Sequence, residues 1–409
     1  MKRAAAAALA LALAAGGNAA WAGFGVSQVA PLALAGLGGA GQVGDPRISS
    51  DGAHLSFELL GADGETLQIY LAPLAHPAGR PPEAGTPELA VPQPPADPFR
   101  LPGPGSRPVS EHLSWGPPKR GQPRYALAAT RVAASRGAAH VNFDLYFSEP
   151  GRRRFLTDHP ATDAQPAVSP DGDFVAFASG RSGQGDVYLY HFFAEAEPYV
   201  AVSFEAAGSE LYPAWDPAGE RLAYTAQLGA EYRIFAVDQV RTLAAEPDPE
   251  RRKTAARRLT RDLTPGWKGT CLAPSFSPDG RRVAFYSRDG ASGRADLYVV
   301  GTEGGAPRLL LRGGLPETRG GPRWSPRGDG LFAVREDADR LNPLVWVPLA
   351  EAAEPSELDT GTQLNADPFA VAQGDALRLF FTAQGGGDAG EKRWRRIYSA
   401  LLTSPGETP

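Results

Sequence analysis

The polar residues that could do chemistry in this chain recur at one place, just ahead of a proline that opens a repeated phrase. Asp45, Glu111, His112, Asp163, Gln165, Glu210 and Tyr212 stand there in the first half of the chain, and Lys268, Thr270, Arg319, Asn365 and Asp367 in the second. Acids, amides and a few bases in this mixture suit hydrogen bonding and ion pairing with a polar ligand or a protein partner. No carboxylate pair is singled out by its spacing for acid–base catalysis. The six histidines (His54, His76, His112, His140, His159, His191) are scattered without ligand spacing, so no metal site is expected. No G-x-S-x-G, H-E-x-x-H or paired C-x-x-C motif occurs, and no catalytic residue is assigned. Gly36-Leu37-Gly38-Gly39-Ala40-Gly41 matches the dinucleotide pattern but runs into Asp45-Pro46 instead of opening a helix, so no cofactor is implied.

The elements that must position these residues come from the phrase itself. Its clearest copies are Pro166-Ala167-Val168-Ser169-Pro170-Asp171-Gly172 and Pro274-Ser275-Phe276-Ser277-Pro278-Asp279-Gly280. Aligned on the first Pro, copies start at Pro46, Leu113, Pro166, Pro213, Pro274, Pro322 and Pro368. The closest lie about 46–48 residues apart, the size of one propeller blade. Ser-Pro-Asp-Gly reads as a turn: Pro pre-sets φ, Asp bonds nearby backbone, and Gly accepts a positive φ. Apolar strands follow, such as Val175-Ala176-Phe177 and Val283-Ala284-Phe285, and then third strands such as Asp186-Val187-Tyr188 and Asp296-Leu297-Tyr298. Phe155-Leu156-Thr157 and Leu309-Leu310-Leu311 read as fourth strands. A unit of this kind cannot bury its own apolar faces and must stack on copies of itself. The expected fold is all-β, a seven-bladed β-propeller, with six blades as the alternative if the degenerate phrase at Leu113 is not a blade. The last unit ends soon after Ile397-Tyr398, without room for an outer strand, so Phe24 to Leu34 is expected to supply it and close the ring.

In such a ring the segments ahead of each first Pro converge on the mouth of the central channel, while the Ser-Pro-Asp-Gly turns lie on the opposite face. The expected partner-binding set is therefore Asp45, His112, Asp163, Glu210, Tyr212, Lys268, Arg319, Asn365 and Asp367. Trp267, in Pro265-Gly266-Trp267-Lys268, has no explanation in the repeat and is either a loop anchor or a binding contact. Two segments break the pattern. Eleven prolines between Ala75 and Ser110 favour extended backbone, either a loop on one face or a docking peptide. Ala244 to Arg258, with acids first and arginines later, reads as a solvated, helical excursion.

The N-terminus has the form of a signal peptide over residues 1–22: Lys2-Arg3, an apolar run from Ala4 to Ala15, and Ala20-Trp21-Ala22 as cleavage site. The apolar run is shorter than the roughly 20 residues of a membrane span, and no Cys follows it to carry a lipid anchor. Cleavage removes two positive charges and no acid, taking the net charge from −5 to −7, which argues against a nucleic-acid partner. The rest, 23–409, is expected to be a single propeller domain, exported, monomeric and not inserted in a membrane. Cys271, the single cysteine, reads as a buried small hydrophobe.

The phrase Pro-x-x-Ser-Pro-Asp-Gly, followed by an aliphatic-Ala-Phe strand and Asp-aliphatic-Tyr, resembles the repeats of the TolB β-propeller family, best at 163–190 and 271–300. The resemblance covers about residues 42 to 402. It implies a periplasmic protein that binds envelope components, as TolB proteins bind a peptidoglycan-associated lipoprotein and TolA. The chain departs from the family in lacking its N-terminal α/β domain. Similar repeats gate prolyl-oligopeptidase-type peptidases, whose hydrolase domain has no room after residue 402. The expected function is thus a non-enzymatic scaffold for an envelope protein or peptidoglycan-associated component. The rival is a propeller lyase or hydrolase acting on an oligosaccharide in the channel.

Overall fold

In the computed structural model, residues 24–34, 41–61, 66–77, 80–91, 109–135, 138–194, 198–204, 208–288, 294–316, 321–337, 341–385 and 395–404 are described. The signal segment 1–22, most of the glycine pattern at 36–41, the prolines of 92–108 and Arg319 lie outside them.

Each repeat phrase opens an antiparallel sheet. Unit 1 is Gly41–Ile48, His54–Gly61 and Leu67–Ala75, with two short strands, Glu83–Ala84 and Glu88–Leu89, on its third strand. Unit 2 is Ser110–Trp115, Tyr125–Ser135, Ala138–Glu149 and Arg152–Phe155; its degenerate phrase makes a four-stranded sheet like the others. Unit 3 is Asp163–Val168, Phe174–Ser179, Asp186–His191 and Tyr199–Ala201. Units 4 (Glu210–Trp215, Leu222–Leu228, Glu231–Val237, Thr260–Asp262) and 5 (Thr270–Phe276, Arg282–Arg288, Ala295–Gly301, Arg308–Gly314) are joined by one parallel bridge, Tyr232 to Thr270. Unit 6 is Arg323–Trp324, Gly330–Val334, Leu344–Pro348 and Ser356–Glu357. Unit 7 is Thr362–Gln373, Ala376–Gly385 and Arg396–Thr403, with Gly25–Pro31 paired antiparallel on its third strand.

The physical reasons are local first. In the turn of unit 3, Ser169 Oγ donates to Asp171 Oδ1 at 2.7 Å, Asp173 N–H donates to the same oxygen at 3.1 Å, and Phe174 N–H donates to Ser169 Oγ at 3.0 Å. Unit 5 repeats this with Ser277, Asp279 and Arg282, and unit 1 with Ser49, Asp51 and His54. The turn aspartates are thus occupied by their own backbone, as Asx turns require. Second strands are buried on both faces, with every residue of Phe174–Ser179 and Gly330–Val334 inaccessible, because neighbouring units cover both sides. The apolar clusters lie between units: Phe174, Val187 and Leu189 meet Leu222, Tyr224 and Val237, and Leu55 and Phe57 of unit 1 meet Phe380 and Ile397 of unit 7.

Three arginines clamp a unit to a neighbouring unit's turn. Arg221 Nη2 donates to Gly280 O at 2.8 Å, Arg327 donates to Asp375 O, and Arg241 bridges Asp171 and Gly219 O. Tryptophans at the end of the first strand do the same on the inside: Trp215 Nε1 donates to Ala167 O at 2.9 Å and Trp324 Nε1 to Ser275 O at 3.2 Å.

The two irregular segments resolve differently. The helical excursion is α1 (Val240–Ala245) and α2 (Pro249–Leu259). Asp248 caps α2 by accepting from Glu250 and Arg251 N–H, Pro249 occupies the first position, and Glu250, Arg257 and Arg258 sit at the dipole-favoured ends. The start of the proline-rich stretch, expected as a loop or docking peptide throughout, is instead part of unit 1 over 83–91. Glu88–Leu89 extends the sheet, and buried Ala90 accepts the Tyr125 hydroxyl at 2.6 Å. Prolines are compatible with such edge positions because no N–H is needed there. Among the described residues no helix is long and apolar enough to cross a membrane.

Cys271 is fully buried, and burial pushes its thiol up to about 12 from an ordinary 9.0. The native protein should therefore resist an aromatic disulfide reagent at pH 8 and release one equivalent only on unfolding. An unfolded chain ionises this thiol first, so its contribution to stability is complete below about pH 9 and is lost as pH rises towards 12. Immediate stoichiometric labelling of folded protein would contradict the placement.

Candidate functional site

The residue before the first Pro sits on a bulge in the innermost strand, not in a loop ahead of it. The register shifts between Gly44 and Arg47, Glu111 and Ser114, Ala164 and Ala167, Leu211 and Ala214, Leu272 and Ser275, and Ala366 and Phe369. At each bulge one non-glycine residue adopts a left-handed φ: Asp45 (44°), His112 (56°), Gln165 (55°), Tyr212 (56°), Ala273 (42°) and Asp367 (51°). A bulge leaves a residue unpaired and tolerates a proline beside it, which explains why the phrase opens on Pro. In unit 6 the same position is Gly321, where a Cβ would come within 2.4 Å of Ala273 O of unit 5.

Left-handed non-glycine residues cost about 1 kcal/mol each, and the neighbouring unit offsets that cost. Gln165 Oε1 accepts from Tyr212 N–H at 2.8 Å, and Asp367 Oδ2 accepts from Asp45 N–H at 3.3 Å. The side chain of one bulge thus holds the backbone of the next. Asp45 also accepts from Arg47 Nε at 2.8 Å and from Arg323 Nη2 of unit 6 at 3.4 Å. Three units therefore meet in one charged cluster of Asp45, Arg47, Asp367 and Arg323, with Glu58 acting on Arg47 through its charge. Burial works against the charge on Arg47, but Asp45, Glu58 and Asp367 outweigh it and raise its pKa.

The other expected residues divide into buried and exposed. Asp163 and Glu210, at the starts of their inner strands, are fully buried. Asp163 pairs with Arg181 at 2.9 Å, and the Arg181 guanidinium lies over the rings of Phe177, Tyr188 and Tyr199. Glu210 accepts from Ser203 Oγ, which in turn accepts from Val187 N–H. Asn365 is buried and donates to Asn342 O at 2.9 Å. His112 lies 3.2 Å from Glu111. Trp267 is an anchor for its loop: Nε1 donates to Ser287 Oγ at 2.8 Å and the ring meets Tyr298 and Phe285 edge-on. Lys268, beside it, is exposed and pairs with Glu231 at 2.9 Å. Hydrogen bonds from Arg233 and Lys268 lower the pKa of Glu231. Sequence reasoning missed Arg47, Arg181, Arg233 and Arg323 as the cations that hold these acids: Arg47 and Arg323 directly follow the first Pro of their units and read there as strand residues, while Arg181 and Arg233 lie outside the phrase. Among the described residues no group of three His, Cys, Asp or Glu is placed to hold a metal ion.

A cleft of about 440 Å³ lies on the turn face. Ser49 to Gly52 and His76 of unit 1, Pro326 of unit 6, and Phe369 to Gln373 of unit 7 line it.

About a third of the chain is similar in sequence to TolB homologues, at low identity. Over 147 residues it is 28% identical to a protein TolB homolog of Chlorobium luteolum, a match spanning 36% of this chain and 29% of that protein. Over 61 residues it is 41% identical to the uncharacterized peptidase YuxL of Bacillus subtilis, spanning 15% of this chain and 9% of the relative. The chain thus matches less than a third of either relative's length. Puromycin hydrolase superposes with a TM-score of 0.57 at 15% identity, covering 90% of this chain and 55% of that one. Oligogalacturonate lyase from Vibrio parahaemolyticus superposes with a TM-score of 0.53 at 10% identity, covering 93% and 98%. At such identities the likeness concerns the fold alone. No family model matches the chain.

Proposed function

We propose that this protein is a periplasmic, TolB-like scaffold without catalytic activity, which binds an envelope protein or peptidoglycan-associated component. In this reading residues 1–22 are a cleaved signal. Residues 23–409 form one monomeric, seven-bladed ring, with Gly25–Pro31 as the outer strand of the last blade. The pairing of Gly25–Pro31 with Arg396–Thr403 and the packing of unit 7 on unit 1 support the closed ring.

The observation that carries the function is how the inner strands use their polar groups. Asp45, Asp163, Glu210 and Asp367 are committed to other groups of the fold through ion pairs and hydrogen bonds. Acids held in this way are not free to exchange protons with a substrate, whereas a rigid mouth with charged, exposed groups at its rim suits a protein surface. The binding face in this reading is the rim where the inner strands begin, with Lys268, Glu231 and Tyr212 as its accessible members and His112 beside them; Arg319, expected in the same set, lies outside the described residues. Buried Asp163, Glu210, Asn365 and Asp367 would shape that rim without touching the partner.

The test is affinity capture of the mature protein's partner from envelope extract, repeated with the double charge reversal Glu231→Lys/Lys268→Glu. The variant should keep its circular dichroism spectrum and lose at least tenfold in capture. Undiminished capture would move the binding face elsewhere. Turnover of uronate oligosaccharides by wild-type protein would replace the scaffold with the lyase reading.

A further inference from the structure

Arg378, in the second strand of unit 7, is 1% exposed and has no acidic partner among the described residues. Its Nε donates to Gln373 Oε1 at 2.9 Å and its Nη2 to Gln28 Oε1 at 2.7 Å, both neutral amide oxygens. Nη1 is buried with no hydrogen-bond partner. Guanidinium stays protonated in proteins, so this is a buried positive charge. Desolvation alone acts on it and lowers its pKa, with no neighbouring carboxylate to oppose the shift.

The strand register shows what surrounds it. Arg378 stands opposite Leu401, and Leu401 stands opposite Ser27. Phe380 stands opposite Ser399, and Ser399 opposite Ala30. Cross-strand partners share a face, and so do residues two apart. Arg378, Ser399 and Ser27 therefore lie on one face of unit 7, the face that carries Phe380 and Ile397 against Leu55 and Phe57 of unit 1. To reach Gln28 on the outer strand, the arginine side chain crosses over the third strand, where Ser399 stands. The hydroxyls of Ser399 and Ser27 are themselves buried without partners. Three orphaned donors, one of them on the uncompensated cation itself, thus share the apolar face of unit 7 that meets unit 1. Gln373, which orients the guanidinium, also lines the turn-face cleft.

We propose that the joint between units 7 and 1 binds a small monovalent anion, chloride being the abundant example, held by Arg378 Nη1 with Ser399 Oγ and Ser27 Oγ. Leaving a buried charge uncompensated is far costlier than pairing it, and two hydroxyl donors beside a guanidinium match an anion's needs. Because Gln28 belongs to the N-terminal strand, anion binding and docking of that strand reinforce each other.

The experiment is urea unfolding of the mature chain at constant ionic strength while gluconate, too large for such a site, is exchanged for chloride. A native-state site makes the folded-to-unfolded ratio rise about tenfold for each tenfold rise in chloride above its dissociation constant. Arg378→Met should abolish that slope while remaining folded, since a methionine packs against the same apolar neighbours. Equal stability in the two salts, or a chloride slope that survives in Arg378→Met, would overturn the proposal. If Arg378→Met does not fold, crystals of wild-type protein grown in sodium bromide decide. An anomalous peak beside Arg378 and Ser399 supports the site, and its absence there refutes it.

Discussion

A chain shortened to begin at residue 35 should fail to hold its native fold, although it loses only one of the described strands. Gly25–Pro31 completes the hydrogen-bond ladder of the last sheet, and Leu32 N–H donates to Ile397 O at 2.8 Å. Phe24 meets Trp346 edge-on at 5.0 Å and also approaches Phe332, so the strand ties unit 6 as well as unit 7. Val26 and Val29 pack on the same cluster, and buried Leu32 packs between units 7 and 1. A fully buried side chain of this size contributes about 1.5–3 kcal/mol and a half-buried one less, so the segment is worth on the order of 5 kcal/mol. That is comparable to the whole stability of a typical domain, about 5–15 kcal/mol. Arg378 would lose Gln28 in addition, and the third strand of unit 7 would become an open edge. Urea unfolding followed by tryptophan fluorescence measures the loss, and a synthetic peptide of residues 24–34 should restore part of it. A shortened chain with an unchanged midpoint would show that this strand does not close the fold.

Asp163→Ala should lower stability by about 3–5 kcal/mol, the usual cost of removing one partner from a buried ion pair. Asp163 is inaccessible and Arg181 nearly so, and the pair sits where the inner strand of unit 3 begins. Without the carboxylate, the guanidinium keeps only the aromatic faces of Phe177, Tyr188 and Tyr199 and Ser179 Oγ. Arg181→Met in the same chain should recover much of the loss, since the charge that lacked a partner is then gone. Partner capture, measured on whatever fraction stays folded, should be unchanged, which separates this residue from the exposed Lys268. A variant of full stability would mean that Asp163 faces solvent and remains available to a ligand.

These two cases mark how far reading the chain could go. The strand Gly25–Pro31, which pairs with the third strand of unit 7, falls within the segment Phe24 to Leu34 that the repeat leaves without another role. The acids ahead of each first Pro were legible as a set. Their orientation was not, because a polar residue before a proline looks the same whether it meets solvent or the next sheet. The bulge was hidden for a similar reason: left-handed φ at Asp45, His112 or Tyr212 leaves no composition signal, unlike a glycine would. The two-residue strand Glu88–Leu89 was masked by its prolines, which read as extended loop until the edge of unit 1 is seen to accept them.

Sequence by itself determined what is local: where each unit begins, the Ser-Pro-Asp-Gly turn that reverses it, the apolar strand that follows, and hence an all-β chain of stacked sheets. Only tertiary structure decided which polar groups meet. Asp45 N–H donates to Asp367 across 322 positions, and Arg378 donates to Gln28 across 350. Turn and strand preferences act within a few residues, while these pairings arise only when whole sheets stack and the ends of the chain come together. The residues with the most chemistry in them are therefore the ones whose roles the stacking had to assign.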